Sequence, residues 1–258
     1  MFGALVLAGA SSLCAAQTAP TDWADVEGRI QYAYYTNDAR ALNGVLTSLK
    51  PKPVEGEEAA GADAPVRNYF LALAHYRLAQ VLFGTKKGQA KDEADECQEA
   101  VDAAVAALPK VPLGLDETDG NKHHRAESYT LSTACALVGR ELASDAGSSR
   151  IGEAVRLEPK NPRVRLFEAV VAYGDAGKDS QAKAAALTKL RATTLMFEQA
   201  RAGASTMPEW GAAEAYAFLG RALYDQRDIV GAREALERAL LIAPDYAFVR
   251  KLMAQITR

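Results

Sequence analysis

Apolar residues recur at intervals of three and four positions along most of the chain from residue 22 onward, which is the spacing of one face of an α-helix. No segment shows the alternation of apolar and polar residues, rich in β-branched side chains, that is typical of strands. Glycine and proline fall between the periodic segments and mark helix ends. The pattern predicts an all-α protein with about 10 to 11 helices. They are expected near residues 22–35, 38–49, 65–83, 91–108, 124–143, 148–157, 163–174, 179–202, 210–226, 229–243 and 245–257.

A second pattern recurs in helices that end at proline. It consists of a small residue, an apolar residue four positions later, an alanine three positions after that and a proline five positions further on. A small side chain lets a neighbouring helix approach closely, and proline ends the helix so that the chain can reverse. The good copies are Ala232, Leu236, Ala239 and Pro244; Gly147, Ile151, Ala154 and Pro159; and Cys97, Val101, Ala104 and Pro109; a weaker copy is Ala41, Val45, Ser48 and Pro53.

Each good copy follows another helix, and the pair resembles the tetratricopeptide repeat, whose pattern is W-x2-L-G-x2-Y, then A-x3-F, then P. The strongest match is Tyr216, Leu219, Gly220 and Leu223, followed by Ala232, Leu236 and Pro244. Further copies are similar at residues 131–159 and 69–109, and Leu166 to Tyr173 begins another. Tyr76 lies 21 residues before Cys97, against 9 between Leu223 and Ala232, so we expect an extended connection there.

The resemblance implies antiparallel helix hairpins stacked into a right-handed superhelix, with repeats near 66–111, 128–161, 162–203 and 213–246 and a cap helix at 245–257. It also implies that the first helices line a concave groove that binds a protein or an extended peptide. Arginine beside aromatic residues suits a partly acidic peptide. The expected lining is Arg67, Phe70, Arg77, Tyr129, Phe167, Val171, Glu214, Arg221 and Tyr224.

The first 64 residues precede this repeat domain, which is expected over 65–258. An apolar, small-residue-rich start predicts a signal peptide over residues 1–16, although no basic residue precedes it and the true start could lie upstream. Lipidation at Cys14 and an N-terminal core helix are the alternatives, and the apolar run is too short for a membrane span. Residues 17–64 are expected to form a helical hairpin and a linker. The chain is therefore expected in the periplasm or outside the cell.

Two features bear on partners and on the redox state. The formal net charge is −3, from 30 basic and 33 acidic residues, so no global field attracts nucleic acid. Cys97 and Cys135 occupy small-residue positions in antiparallel neighbouring helices at similar height. An oxidising compartment would favour a disulfide between them. The alternative is two free cysteines chosen for their small volume.

Catalytic and metal chemistry receive little support. None of the three histidines accompanies a recognisable nucleophile motif. Residues 115–127 gather Asp116, Glu117, Asp119, His123, His124 and Glu127, but this stretch departs from a calcium loop and is interpreted as a solvated loop. The acidic run 91–99 could dock a partner, but it is more typical of the exposed start of a helix. Trp210 could be a ligand platform, but an aromatic residue just before an apolar helix is more typical of the core.

These observations predict a non-catalytic binding scaffold in the bacterial envelope, without a metal or cofactor. A structural subunit with a self-filled groove is the alternative. An enzyme with an unrecognised site is the third.

Overall fold

The computed structural model describes residues 21–50, 63–110, 117–142, 149–201 and 208–256. These residues form eleven α-helices and contain no strand, so the all-α prediction is confirmed for them. The predicted signal peptide, at 1–16, lies outside the described residues. The helices are α1 (Trp23–Tyr35), α2 (Ala39–Leu49), α3 (Ala64–Leu82), α4 (Lys87–Ala106), α5 (Asp119–Leu142), α6 (Ile151–Leu157), α7 (Pro162–Asp175), α8 (Ser180–Arg201), α9 (Ala212–Asp225), α10 (Ile229–Ile242) and α11 (Ala247–Ile256).

Helices that follow each other in sequence pack as adjacent pairs, most extensively α3 with α4, α9 with α10 and α7 with α8. The first helices of the pairs also contact one another in order, so α1, α3, α5, α7, α9 and α11 form an inner row. This arrangement is compatible with a helical repeat fold. None of the described helices has the length and apolar character needed to cross a membrane.

Two of the helix pairs are joined by the same kind of tight turn. Asn37 and Arg227 adopt left-handed backbone conformations, with φ of 59° and 65°. Each is followed by an aspartate, Asp38 or Asp228, whose side chain accepts a hydrogen bond from the backbone N–H three residues later. This is the bonding of a helix N-cap. The chain therefore reverses direction between α1 and α2 and between α9 and α10 by the same local chemistry.

Close packing of α9 on α10 depends on a glycine. A Cβ atom at Gly220 would lie 2.7 Å from side-chain carbons of Leu236 and 3.2 Å from the carbonyl oxygen of Ala232. Gly220, Ala232 and Leu236 are all buried. Small residues at the repeated positions thus let the two helices approach, as the sequence pattern predicts for this pair.

The prediction of an extended connection between the third and fourth helices is wrong. Helix α4 already begins at Lys87, shortly after α3 ends at Leu82. The additional residues lengthen α4 instead, because they are mostly good helix formers and because Ala90 and Ala94 are buried against α3. Much of the acidic run at 91–99 therefore lies inside a helix rather than at its start.

A disulfide in the structure joins α4 to α5. Cys97 and Cys135 are its two residues, their Cα atoms are 6.1 Å apart, and both side chains are fully buried. The separation falls within the range that disulfides require. The link crosses from one helix pair to the next rather than closing a single hairpin.

Candidate functional site

The inner faces of α3 and α9 meet at a buried ion pair. Arg77 on α3 donates to Glu214 on α9, and the two side chains are only 1% and 3% exposed. Arg77 also donates to Gln31 of α1 at 3.2 Å and to Gln80 of α3 at 2.9 Å. Burying an ion pair is costly unless further hydrogen bonds satisfy it. Three helices here contribute polar groups to one buried guanidinium.

Aromatic rings complete the surroundings of Arg77. Its guanidinium carbon lies 4.1 Å from the ring centre of Tyr34, 4.9 Å from that of Trp210 and 5.1 Å from that of Tyr76. Burial acts to lower the pKa of Arg77, but the carboxylate of Glu214 together with Tyr34, Tyr76 and Tyr35 outweighs this effect, and the pKa lies above its ordinary value. The positive charge is therefore kept inside the protein and shared between a carboxylate and aromatic faces.

A second ion pair lies along the same inner row, between α5 and α7. Both oxygens of Glu127 accept hydrogen bonds from Nε of Arg163 at 2.9 Å, and one of them accepts from Asn161 at 2.6 Å. The indole N–H of Trp210 donates to the hydroxyl of Tyr69 at 2.8 Å, and Tyr69 donates to Glu127 at 3.4 Å. Trp210 is 3% exposed and belongs to the core, as the sequence interpretation favours.

Helix α1 lies across these inner faces. The ring of Trp23 stacks on Phe70 of α3 with 5.5 Å between the ring centres, and Tyr35 donates to Glu214 at 3.1 Å. Between them, Glu27 accepts from the backbone N–H groups of residues 209 and 210 at 2.8 and 2.6 Å. We define the interior groove as the surface beneath α1 that is formed by Phe70, Arg77, Trp210 and Glu214.

Burial of Glu27 raises the pKa of its carboxyl group to about 7, because desolvation outweighs the two backbone hydrogen bonds and the charge of Arg163. The other carboxyl oxygen, Oε2, is buried without a hydrogen-bond partner. An ionised carboxylate in such a place is destabilising. Glu27 therefore both holds α1 in position and makes that position dependent on protonation.

The structure closes the centre of the groove that the sequence predicts. Arg77 and Glu214 are brought together as an ion pair, whereas the predicted lining treated them as separate contacts for a peptide. In this arrangement α1 covers both, and a peptide cannot reach the guanidinium. The sequence pattern indicates which helix faces turn inward, but it carries no signal for the placement of α1 over them.

The remaining predicted lining residues lie in different environments. Phe70 and Phe167 are buried in the interior, and Tyr129 is buried beneath the guanidinium of Arg150, with 3.6 Å from the guanidinium carbon to the ring centre. Arg221 is exposed and pairs with Asp225 at 3.1 Å. Half-buried positions are occupied by Arg67, Val171 and Tyr224.

An open cleft lies at one end of α1, beside the interior groove. It encloses about 560 Å³ between the inner-row helices α3, α9 and α11, with Tyr34 and Tyr246 in its wall. Phe218 and Phe248 provide apolar surface, and Phe248 is 45% exposed. Arg221 and Lys251 also line the cleft. Of the groove residues predicted from sequence, Arg221 is the one that lines this cleft, and the aromatic residues around it were missed.

The histidine-rich stretch forms a polar network. Nδ1 of His123 lies 3.0 Å from both carboxylate oxygens of Glu158. Ligand atoms of His123, Glu127 and Glu158 lie within 4.8 Å of one another. However, Glu127 is engaged by Arg163, so an ion here would have to displace a buried guanidinium. Hydrogen bonding accounts for the cluster. Asp116, part of the same sequence candidate, lies outside the described residues.

Sequence reasoning missed the polar face of α1. Trp23, Glu27, Gln31 and Tyr35 follow each other at intervals of four residues, which places them along one row of the helix surface. Glu27 and Gln31 are only 5% and 8% exposed. A carboxyl and a carboxamide in register with an aromatic residue at each end could have indicated a buried polar contact.

Comparison of the chain with protein-family models and with curated proteins found no match. The likeness to tetratricopeptide repeats therefore rests on the sequence pattern and on the pairing of the helices.

Proposed function

We propose that this protein is a non-catalytic scaffold that binds an extended, acidic segment of a partner protein in the cleft at the end of α1. The proposal includes a tetratricopeptide-like right-handed arrangement of the helix pairs. The cleft carries the proposal: it lies on the inner row, where the family resemblance expects a binding surface.

The lining of the cleft indicates the chemistry of the segment. Phe218 and Phe248 offer partly exposed aromatic surface, which favours an apolar side chain of the partner. Arg221 and Lys251 add positive charge, and no carboxylate lines the cleft among the described residues. Asp225 partly compensates Arg221, but an exposed pair of this kind contributes little and is readily exchanged. A carboxylate next to an apolar residue therefore suits this surface.

The compartment forms part of the same proposal. A disulfide between Cys97 and Cys135 persists most readily where the surroundings are oxidising. This supports a periplasmic or secreted scaffold.

Peptide selection tests the proposal. Random twelve-residue peptides displayed on phage are selected on the full chain, and the enriched peptides are measured by fluorescence polarisation. We expect them to combine apolar and acidic residues and to bind the Arg221→Glu variant roughly tenfold more weakly, because one attraction becomes a repulsion.

Arg233→Glu provides a matched control. Like Arg221, Arg233 is an exposed arginine that pairs with a carboxylate four residues later, but it lies on α10 outside the cleft. Binding should be unchanged in this variant. Equal effects of the two substitutions on peptide affinity would refute binding in the cleft. So would enriched peptides whose affinity neither substitution changes.

A purely structural role is the second candidate, because the interior groove is filled by α1 of the same chain. This role predicts that no peptide is enriched on the folded protein. The same selection therefore separates the two functions.

A further inference from the structure

Half of the exposed large apolar side chains among the described residues lie on one helix, α10. There are six in all, and three of them are Ile229, Val230 and Leu241. Val230 and Leu241 are the two most exposed, at 71% and 75%. Single apolar side chains scattered over a surface are normal. Two that protrude near the two ends of one helix instead mark a surface on which another helix could pack.

Charged side chains occupy the same face of α10 between these apolar ends. The opposite face of the helix is buried through Ala232, Ala235, Leu236 and Ala239. At 3.6 residues per turn, Val230, Glu237 and Leu241 lie within about 40° of one another and form the centre line of the exposed face. Arg233 lies on one flank of that line and Arg238 on the other, and all of these charged side chains are exposed.

An antiparallel second copy of α10 would match the apolar ends of this face. The midpoint of the helix (Ile229–Ile242) falls between residues 235 and 236. A two-fold axis at that point brings the first turn of one copy against the last turn of the other. Val230 then lies opposite Leu241 of the second copy, and the same contact recurs at the other end. Beside Val230, Ile229 and Ile256 line a shallow surface hollow that can receive this leucine.

The charges along the face match under the same two-fold axis. Arg233 lies opposite Glu237 of the second copy on one flank, and Glu234 lies opposite Arg238 of the second copy on the other. Arg233 and Glu237 form an exposed ion pair within their own helix at 2.9 Å, and such a pair is readily shared with further charges. A face whose order of apolar, basic and acidic residues is complementary to its own reverse favours a second copy over an unrelated partner.

We propose that the exposed face of α10 is a self-association surface, on which two copies of the chain pair antiparallel about a two-fold axis. A contact centred on one helix from each copy buries less than the roughly 1,600 Å² of a standard stable interface, so the dimer is weak and reversible, with a Kd on the order of 10–100 μM. No described residue of α10 lines the cleft at the end of α1. Self-association and peptide binding in the cleft are therefore independent, and Arg233→Glu remains a valid control for the cleft.

Sedimentation velocity of the full chain between about 1 and about 500 μM measures the association. The wild type should pass from monomer to dimer over this range. Arg233→Glu and Glu237→Arg should each weaken the dimer roughly tenfold or more, because the symmetry places every new repulsion at the interface twice. Arg29→Glu is the matched control: Arg29 is an exposed arginine that pairs with Asp25 four residues away, but it lies on α1. This variant should dimerise like the wild type.

Mixing the two charge variants tests the pairing itself. In a heterodimer of Arg233→Glu with Glu237→Arg, residue 233 of each chain meets the opposite charge at residue 237 of the other. The equimolar mixture should therefore dimerise at least as tightly as the wild type, although each variant alone does so poorly. The double variant Arg233→Glu/Glu237→Arg should also recover the dimer. Damage to the fold of α10 could not be rescued in either way.

Three results would overturn the inference. A wild type that stays monomeric up to the highest concentration would show that this face does not bind a second copy, whatever else it binds. A dimer that persists in both single variants, or that Arg29→Glu weakens equally, would place the association on another surface. A mixture of the two charge variants that remains monomeric would show that residues 233 and 237 do not face each other across the two-fold axis.

Discussion

Replacing Gly220 with alanine tests whether close approach of α9 and α10 holds the C-terminal hairpin together. The added Cβ would meet side-chain carbons of Leu236 at 2.7 Å and the carbonyl oxygen of Ala232 at 3.2 Å. Leu236 is completely buried, so it has little room to move away. We expect the substitution to push the two helices apart or to force Leu236 out of its preferred conformation.

The expected magnitude combines two opposing effects. Overpacking of a well-packed core costs about 1–3 kcal/mol, while alanine in place of glycine favours the helix by about 1 kcal/mol. Gly220→Ala should therefore lower the free energy of unfolding by roughly 0–2 kcal/mol. Gly44 in α2 is the matched control, because it is exposed and a Cβ there meets nothing within 4 Å. Gly44→Ala should raise the free energy of unfolding by about 0.5–1 kcal/mol.

Urea unfolding followed by circular dichroism measures both changes, and a double-mutant cycle isolates the contact. In a Leu236→Ala background the space around Gly220 opens, so Gly220→Ala should become as favourable as Gly44→Ala. The coupling energy should be roughly 1–3 kcal/mol. Equal stabilisation by the two glycine replacements in the wild-type background, with no coupling to Leu236, would refute the packing argument.

Two further predictions concern the buried links between helices. Cys97→Ala/Cys135→Ala should lower the free energy of unfolding by about 4 kcal/mol in the chain-entropy model, and reductant should then affect only the wild type; alkylation of both Cys97 and Cys135 in denatured, unreduced wild type would contradict this. Arg77→Met leaves the carboxylate of Glu214 buried without its partner and should cost about 3–5 kcal/mol in urea unfolding. Adding Glu214→Gln should recover part of that loss. Strictly additive effects of the two substitutions on the free energy of unfolding would argue against an interaction between Arg77 and Glu214.

Much of the helical framework could be predicted from sequence, because periodicity and capping are local. The end of α2 at Leu49 and the start of α10 at Ile229 coincide with the predicted bounds. Gly220 correctly indicated a close contact between α9 and α10, because a small residue at this position of the pattern leaves room for the neighbouring helix. The proximity of Cys97 and Cys135 could also be predicted, because the number of residues from each cysteine to the end of its helix places both at similar height in antiparallel helices.

The filling of the groove could not be predicted in this way. The sequence predicts Arg77 as a cation that lines an open groove, but its actual environment depends on Glu214, which lies 137 residues away. Periodicity assigns a residue to a helix face but does not identify the distant helix that covers it. Glu27 is a similar case, because its carboxyl group contacts backbone atoms more than 180 residues away. The row of polar and aromatic residues on α1 indicates a buried polar contact, but it does not identify the distant backbone that Glu27 reaches.

Contacts between the first and last helix pairs change how the whole array behaves. Tyr34 lies within 2.7 Å of Tyr246, hydroxyl to hydroxyl, although 212 residues separate them in sequence. In an open solenoid each unit touches only its neighbours, so the ends fray independently and repeats can be added or removed. Here the two ends of the array meet. Loss of the last pair would also remove hydrogen-bond partners of α1 and α3, so we expect the two ends of the array to stabilise each other rather than to fray independently.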